Sequence, residues 1–250
     1  MLLHIPHSSD RIPAHLRAAL LLSDDELRAE LLALTDAHTD TLFTLGVRPA
    51  TPVIFPVSRL VVDPERFIDD SREPMAGKGM GVVYVRTADG RPLRTAPTAA
   101  QREQLLAAYY HPHHRRLTEL VGLELAHLGR CLIIDCHSFP SRPLPYEEDQ
   151  SPDRPDICIG TDSFHTPYAL TVHLVAALES SGFSVALNRP FAGALVPAGY
   201  YRADTRVRSI MIEINRRLYM DERTGERTAR FTRIAQLLGR LLTDLQRRAE

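Results

Sequence analysis

The fold is decided by residues 132–138, which have the sequence LIIDCHS. The unbroken apolar run Leu132–Ile134 is typical of a strand buried on both faces, as in a parallel sheet covered by helices. In such sheets the ligand site lies outside the carboxyl ends of the strands. Asp135 and His137, at the end of the predicted strand, are therefore candidates for chemistry.

Apolar strands alternate with helical segments along the chain, which predicts an α/β fold: a three-layer α/β/α sandwich with a mixed, mostly parallel sheet. The predicted strands are Leu2–Ile5, Val53–Val62, Leu132–Ile134, Ile157–Gly160, Phe183–Asn188 and Ser209–Ile214. The predicted helices are one from the capping box at Ser23 to Gly46, Ala99–Leu128 with a break at Pro112, Pro167–Ser180 and Thr224–Arg247. A hairpin with its turn at Asp89-Gly90 is predicted between Val82 and Thr95.

Composition limits the class of protein. The chain has 250 residues, 44% hydrophobic and 24% charged, with a formal net charge of −1, and one domain spanning residues 1–250 is expected. Near-zero charge argues against nucleic acid or an anionic membrane as the main partner. Three cysteines form no disulfide framework, and no run approaches the ~18 apolar residues of a membrane span. Because the amino terminus also lacks the features of a signal peptide, a cytoplasmic location is expected.

Further polar residues join Asp135 and His137 as candidates. His7 follows the first predicted strand, and Asp36 lies on the first long predicted helix. Glu213 interrupts an apolar strand, where burial costs several kcal/mol unless the carboxylate is paired or its pKa shifts. A general base and a buried ion pair are both compatible with that position.

Two histidines and one carboxylate suit catalytic zinc, which keeps a position open for water. No HExxH motif is present, which excludes the simple helical zinc-protease pattern. His7-x-x-Asp10 is a second way to supply the carboxylate, in competition with Asp36. Arg59 and Arg66 offer guanidinium groups that bind carboxylates in a bidentate manner, although ion pairs within their own segment are an equal alternative.

Together these segments resemble the N-formylglutamate amidohydrolase family. The resemblance runs from residue 5 to about residue 222, and the segments occur in the order of the family. The matching segments are IPHSS (5–9), TDAHTD (35–40), SRLVVD (58–63), YHPHH (110–114), DCHS (135–138), FAG (191–193) and IEI (212–214), with YM (219–220) behind the last.

The resemblance implies a zinc carboxypeptidase-like fold and one Zn²⁺ per chain. By position, the metal ligands would be His7, Asp36 and His137, with Glu213 as the general base. Asp135 would orient a neighbour of the metal. The implied reaction is cleavage of N-formyl-L-glutamate to formate and glutamate, a late step of histidine breakdown.

Three residues complete this interpretation. Arg59 and Arg66 would hold the carboxylate of a small amide substrate, and His114, in the middle of a helix, is expected to be structural. The family often has Asp-x-Asn-Arg where this chain has DPER at residues 63–66. The negative charge of Glu65 would repel a carboxylate unless an arginine neutralises it. Another N-acyl amino acid is therefore an alternative substrate.

Two further classes of function stay open from the sequence. One is metal-independent hydrolysis with Ser138 or Ser8 as nucleophile and a histidine as base. Neither serine lies in the Gly-x-Ser-x-Gly elbow of α/β-hydrolases. The other is a non-catalytic member of the fold that binds a metal or a carboxylated metabolite.

Overall fold

A six-stranded sheet organises the chain, of which a computed structural model describes residues 1–47 and 49–248. Residues 48, 249 and 250 of the predicted domain 1–250 lie outside the described residues. The strands are β1 (Leu2–Ile5), β2 (Thr51–Ile54), β3 (Cys131–Phe139), β4 (Ile157–Gly160), β5 (Val185–Leu187) and β6 (Val207–Asn215). The α-helices are α1 (Ala14–Arg17), α2 (Asp24–Leu34), α3 (Thr39–Thr44), α4 (Ala99–Leu105), α5 (His111–Leu128), α6 (Tyr168–Ser180) and α7 (Phe231–Arg248). Pro74–Lys78 and Arg216–Leu218 are 3₁₀ turns, and Leu106–Tyr110 is a π-helical turn.

The sheet is mixed and mostly parallel, as predicted. Its strand order is β2-β1-β3-β6-β4-β5. Strands β2, β1, β3 and β6 are parallel neighbours, whereas β4 is antiparallel to β6 and parallel to β5. The carboxyl ends of β1, β3 and β6 therefore meet at one edge of the sheet.

Helices cover both faces of the sheet, which confirms the three-layer α/β/α sandwich. One face packs against α3, α6 and α7 through residues such as Ile134 and Ile212. The other face packs against α5, where Leu117 and Val121 contact a cluster that includes Ile133. Among the described residues, no helix is both long and apolar enough to cross a membrane.

Strand alternation directs four polar residues to the α5 face of the sheet. Successive side chains of a strand point to opposite faces, and Leu2, Cys131, Ile133 and Val207 contact α5. The residues that continue this alternation are His4 on β1, Asp135 and His137 on β3, and Glu213 on β6. His4 is paired with Asp135 in the parallel register, and His137 with Glu213.

Two predictions about the elements that carry the site are wrong. Strand β3 does not end before Asp135 but continues to Phe139, so Asp135 and His137 lie within a buried strand. The predicted helix from Ser23 to Gly46 is broken between α2 and α3, and Asp36 lies in the break rather than on a helix. The backbone of Asp36 leaves the helix because its N–H donates to the carbonyl of His7, at 2.9 Å.

Other elements also differ from the prediction. The strand at Val53–Val62 is limited to β2, since the chain turns after Pro56, which has no N–H to donate to a ladder. The hairpin within 82–95 contains one isolated bridge, and the last helix begins at Phe231 rather than Thr224. The strand at 183–188 is shorter, at Val185–Leu187. Pro112 breaks no helix, because it lies in the first turn of α5 directly after the π-helical turn.

Candidate active site

The candidate site lies at the carboxyl ends of β1, β3 and β6, the place that the parallel sheet predicts. His7 follows β1, His137 lies on β3, and Glu213 is the neighbour of His137 on β6. His7 is only 2% exposed, so its side chain is buried in the site rather than exposed on a loop. These residues and Asp36 line one cavity of about 400 Å³.

The ring of His7 is oriented by Asp63. His7 Nε2 lies 2.8 Å from Asp63 Oδ1, and an ionised carboxylate can only accept, so Nε2–H donates. In the neutral ring Nδ1 then has the lone pair, and this atom is buried without a hydrogen-bond partner among the described residues. It lies 3.8 Å from Asp36 Oδ2 and 3.9 Å from Glu65 Oε2. The lone pair of Nδ1 therefore faces two carboxylates, as a metal ligand would.

Asp36 is held between a cation and the two histidines. Its Oδ1 accepts from Arg216 Nη2 at 3.0 Å, and its Oδ2 lies 3.1 Å from His137 Nδ1. Burial disfavours the carboxylate, but the hydrogen bond with His137 and the proximity of the two histidines outweigh burial and keep the pKa of Asp36 well below its usual value. Asp36 is thus an anion beside two imidazole nitrogens.

His137 is surrounded by carboxylates. Its Nε2 lies 3.2 Å from Asp135 Oδ1 and 3.2 Å from Glu65 Oε1, while its Nδ1 faces Asp36. Burial opposes a charge on the ring, yet Glu65 and Asp135 outweigh burial and raise the pKa of His137 well above its usual value. A metal that binds His137 must therefore displace a proton.

Glu65 is a third carboxylate beside His137. From the sequence we expected only that its negative charge would repel a substrate carboxylate. Ligand atoms of His7, Glu65 and His137 lie within 4.8 Å of one another, as metal ligands require. The side chain is 18% exposed, and its backbone N–H donates to Asp63 Oδ1 at 3.0 Å. Glu65 lies on the long connection between β2 and α4, and the fold of this connection determines where its side chain points. No periodic pattern in the sequence indicates that position.

Two other carboxylates that lie near these residues in the sequence are not part of the site. Asp10, the alternative to Asp36, is exposed. Asp40 accepts from the backbone N–H of Thr41 at 2.7 Å, within the first turn of α3. Asp36 is therefore the predicted helix carboxylate that the fold brings to the two histidines.

Glu213 has the electrostatic properties of a proton-transfer group. It is 7% exposed, and its Oε2 is buried without a hydrogen-bond partner in the described part of the chain. Burial raises the pKa of Glu213 to about 8, and the nearby charges of Asp36 and Glu65 act in the same direction, against His137 and Arg216. The ion-pair alternative is not seen, since no hydrogen bond joins Glu213 to an arginine among the described residues.

Three arginines line the same cavity. Arg59 donates from Nη2 to Asp63 Oδ2 at 2.8 Å and from Nε to the Tyr84 hydroxyl at 3.1 Å. Arg66 is held more loosely: its Nε, 3.6 Å from Asp63 Oδ2, is buried and has no hydrogen-bond partner. Arg216, which the sequence analysis missed, fixes Asp36 and donates to the carbonyl of Ala33 at 2.7 Å.

Asp135 and a pair of histidines form a chain of hydrogen bonds between the site and α5. Asp135 Oδ1 lies 2.8 Å from His4 Nδ1, and His4 Nε2 lies 2.9 Å from His113 Nε2 on α5. Asp135 Oδ2 accepts the backbone N–H of Leu195 at 2.9 Å. His114 binds the carbonyl of Pro64 at 2.7 Å and so supports the loop that carries Glu65.

Comparison with known proteins identifies the family. The sequence profile described as N-formylglutamate amidohydrolase matches residues 1–220. A relative named N-formylglutamate deformylase, from Pseudomonas aeruginosa, is 31% identical over 229 aligned residues, covering 89% of this chain and 82% of the relative. A relative of the same name from Pseudomonas putida is 28% identical over 232 aligned residues, with the same coverage of 89% and 82%.

The fold has a close counterpart among solved structures. The crystal structure of N-formylglutamate amidohydrolase from Ralstonia eutropha JMP134 superimposes with a TM-score of 0.85 at 24% identity, covering 99% of this chain and 93% of that one. This likeness confirms the fold class. The profile and the relative from Pseudomonas aeruginosa lead to the conclusion that the chain belongs to the N-formylglutamate amidohydrolase family, hydrolases that act on an amide, as its seven motifs predict.

Proposed function

We propose that this protein is a zinc-dependent amidohydrolase that cleaves the amide bond of N-formyl-L-glutamate or a related N-acyl amino acid. One observation carries the proposal. The buried Nδ1 of His7, which has no partner among the described residues, faces Asp36 beside His137, and Glu213, whose buried Oε2 also has none, lines the same cavity. The names of the relatives support the substrate class.

The donor set fits a divalent metal. His7, His137 and Asp36 would hold the ion, which is the set of two imidazoles and one carboxylate that catalytic zinc prefers. Asp63 orients His7 from its far nitrogen, as second carboxylates do at many zinc sites. When bound, zinc supplies Lewis-acid polarisation of the amide carbonyl and lowers the pKa of water.

Glu213 performs the proton transfers in this proposal. It accepts the proton that the attacking water loses and returns it to the departing nitrogen. A carboxyl group with a pKa raised to about 8 by burial is suited to both steps at neutral pH. Its neighbour in the register is His137, which places it beside the proposed metal ligand.

Arg66 is the better placed of the two predicted arginines to bind a substrate carboxylate. Its side chain is 22% exposed against 11% for Arg59, and Arg59 already donates to Asp63 and Tyr84. Arg59 would then contribute mainly by holding Asp63 and through its positive charge at the cavity wall. Glu65 adds a negative charge to the same cavity, which Arg66 has to offset when a substrate carboxylate binds.

Glu213→Gln tests the proposed base. The variant should keep its metal and lose at least about a hundredfold in kcat on N-formyl-L-glutamate or the best N-acyl amino acid of a panel. Glu148→Gln is the matched control, because Glu148 lines the same cavity but is exposed, and it should retain activity. Hydrolysis by Glu213→Gln within tenfold of wild type, with metal retained, would remove Glu213 as the base. Saturable binding of the panel without turnover in the wild type would instead support a binding protein.

The third metal ligand has its own test. Asp36→Asn should abolish zinc retention during dialysis, whereas Glu65→Gln and Asp10→Asn should retain it. Loss of zinc in Glu65→Gln alone would assign the carboxylate ligand to Glu65, which shares the 4.8 Å cluster with His7 and His137. Loss in Asp10→Asn alone would assign it to Asp10.

The serine alternative has no support in the site. The Ser138 hydroxyl lies 3.4 Å from Arg216 Nε, and among the described residues no histidine hydrogen-bonds to the hydroxyl of Ser138 or of Ser8. The three cysteines Cys131, Cys136 and Cys158 are free and buried, which supports the proposed cytoplasmic location. Release of formate and glutamate would place the reaction at a late step of histidine breakdown.

A further inference from the structure

We propose that His113 and His4 are positioning residues, which act through Asp135 to fix the nitrogen that His137 presents to the metal. The observation is a continuous buried chain of hydrogen bonds from α5 through β1 to β3. His113 Nε2 lies 2.9 Å from His4 Nε2, His4 Nδ1 lies 2.8 Å from Asp135 Oδ1, and that oxygen lies 3.2 Å from His137 Nε2. All four side chains are buried, with exposures between 0% and 6%.

The direction of the chain follows from what each group can donate. Asp135 is placed as an anionic acceptor, because its Oδ2 accepts the backbone N–H of Leu195 and its Oδ1 lies 2.8 Å from His4 Nδ1 and 3.2 Å from His137 Nε2. An anionic carboxylate only accepts, so His4 donates from Nδ1. A neutral His4 then has only a lone pair on Nε2, and His113 must donate to it from its own Nε2.

His113 is suited to be a permanent neutral donor. Burial lowers the pKa of His113 to about 2, so its ring carries one proton at neutral pH. That proton lies on Nε2 if the chain has the proposed direction. Phe55 packs edge-on against the ring, with the centroids 5.1 Å apart, and holds it in place.

Asp135 transmits this arrangement to His137. Its Oδ1 accepts from His4 and from His137 Nε2–H, and its Oδ2 is fixed by the backbone N–H of Leu195. Glu65 Oε1 is also 3.2 Å from His137 Nε2 and competes for the same proton. With Nε2 protonated, His137 has Nδ1 left for the metal, on the side where Asp36 Oδ2 lies at 3.1 Å.

The inference rests on the proposed function only where it concerns the metal, so the first test does not need one. Long-range ¹H–¹⁵N correlation spectra of the histidine rings, recorded on the wild-type chain with and without zinc, report which nitrogens are protonated. We expect a proton on Nδ1 of His4 and on Nε2 of His113 in both samples. With zinc, His137 should be protonated on Nε2. A proton on His4 Nε2 in either sample would reverse the chain and overturn the inference, whether or not zinc binds.

The second test measures zinc affinity by competition with a chromophoric chelator. His113→Leu cannot donate to His4 and should weaken zinc binding about 10-fold or more. His113→Gln keeps an N–H donor and should recover most of the loss. His111→Leu is the matched control on the same helix, since His111 is 44% exposed, and should equal the wild type. Wild-type affinity in His113→Leu, or equal losses in the Leu and Gln variants, would show that His113 acts only as a packing residue.

Discussion

Replacing Asp63 by asparagine removes a negative charge on which three buried side chains depend. Asp63 is fully buried, and its two oxygens accept from His7 Nε2 at 2.8 Å, from Arg59 Nη2 at 2.8 Å and from the hydroxyl of Tyr84. The asparagine side chain would keep the shape but present an amide N–H₂ to groups that are themselves donors. The side chain of Arg59 is only 11% exposed, and its guanidinium would lose its counter-ion.

The expected cost of this substitution is large. Removing one partner of a buried ion pair typically destabilises a protein by about 3–5 kcal/mol, because the remaining charge is left uncompensated. With a urea slope of about 3 kcal/mol/M, the unfolding midpoint should fall by about 1–2 M. Equilibrium urea unfolding followed by circular dichroism, with chelator in every sample, measures this loss without a contribution from bound metal.

The matched control for Asp63→Asn is Asp70→Asn, on the same connection after β2. Asp70 pairs with Arg102 at 3.2 Å but is 61% exposed, so its loss should cost less than about 1 kcal/mol. A midpoint for Asp63→Asn equal to that of Asp70→Asn would refute the reasoning, since it would show that Arg59 and His7 do not need the charge of Asp63.

Three further substitutions test the elements around the site by thermal or urea unfolding. Ser23→Ala removes the hydroxyl of the α2 capping box and should cost about 1 kcal/mol; no change would mean that the box is dispensable. Gly239→Ala should destabilise the protein, because the added Cβ would lie 2.7 Å from the carbonyl oxygen of Leu45. This clash should outweigh the higher helix propensity of alanine over glycine, which is about 1 kcal/mol. A more stable variant would contradict this packing. Burial raises the pKa of Glu30, so the folded protein loses stability as pH rises through that pKa. Glu30→Gln keeps an acceptor for the N–H of Ala88 but cannot ionise. The stability of this variant relative to wild type should therefore increase from pH 5 to pH 8. A difference in stability that stays constant over this range would refute the reasoning.

The sequence allowed the sheet and most of the site to be predicted, because both follow from short-range patterns. Apolar runs identify buried strands, and polar residues near their ends meet at one edge of a parallel sheet. His7, His137 and Glu213 line one cavity for this reason. The family resemblance favoured Asp36 as the carboxylate ligand, whereas spacing alone placed this residue on a helix.

The remaining features depend on contacts that are distant along the chain. The break at Asp36 needs the carbonyl of His7, and a left-handed residue at His38 then starts α3. Helical periodicity continues through this break and so conceals it. Glu65 and Arg216 approach the histidines only because a long loop and a 3₁₀ turn fold over the sheet edge, which no local pattern indicates.

Metal content per chain tests the central claim most directly. Protein purified without chelator should contain about one zinc ion per chain by plasma mass spectrometry. His7→Ala and His137→Ala should contain none, while His111→Ala, on the exposed side of α5, should match the wild type. An absence of metal from the wild-type protein, even after incubation with zinc and dialysis, would contradict the account and leave the fold without its proposed chemistry.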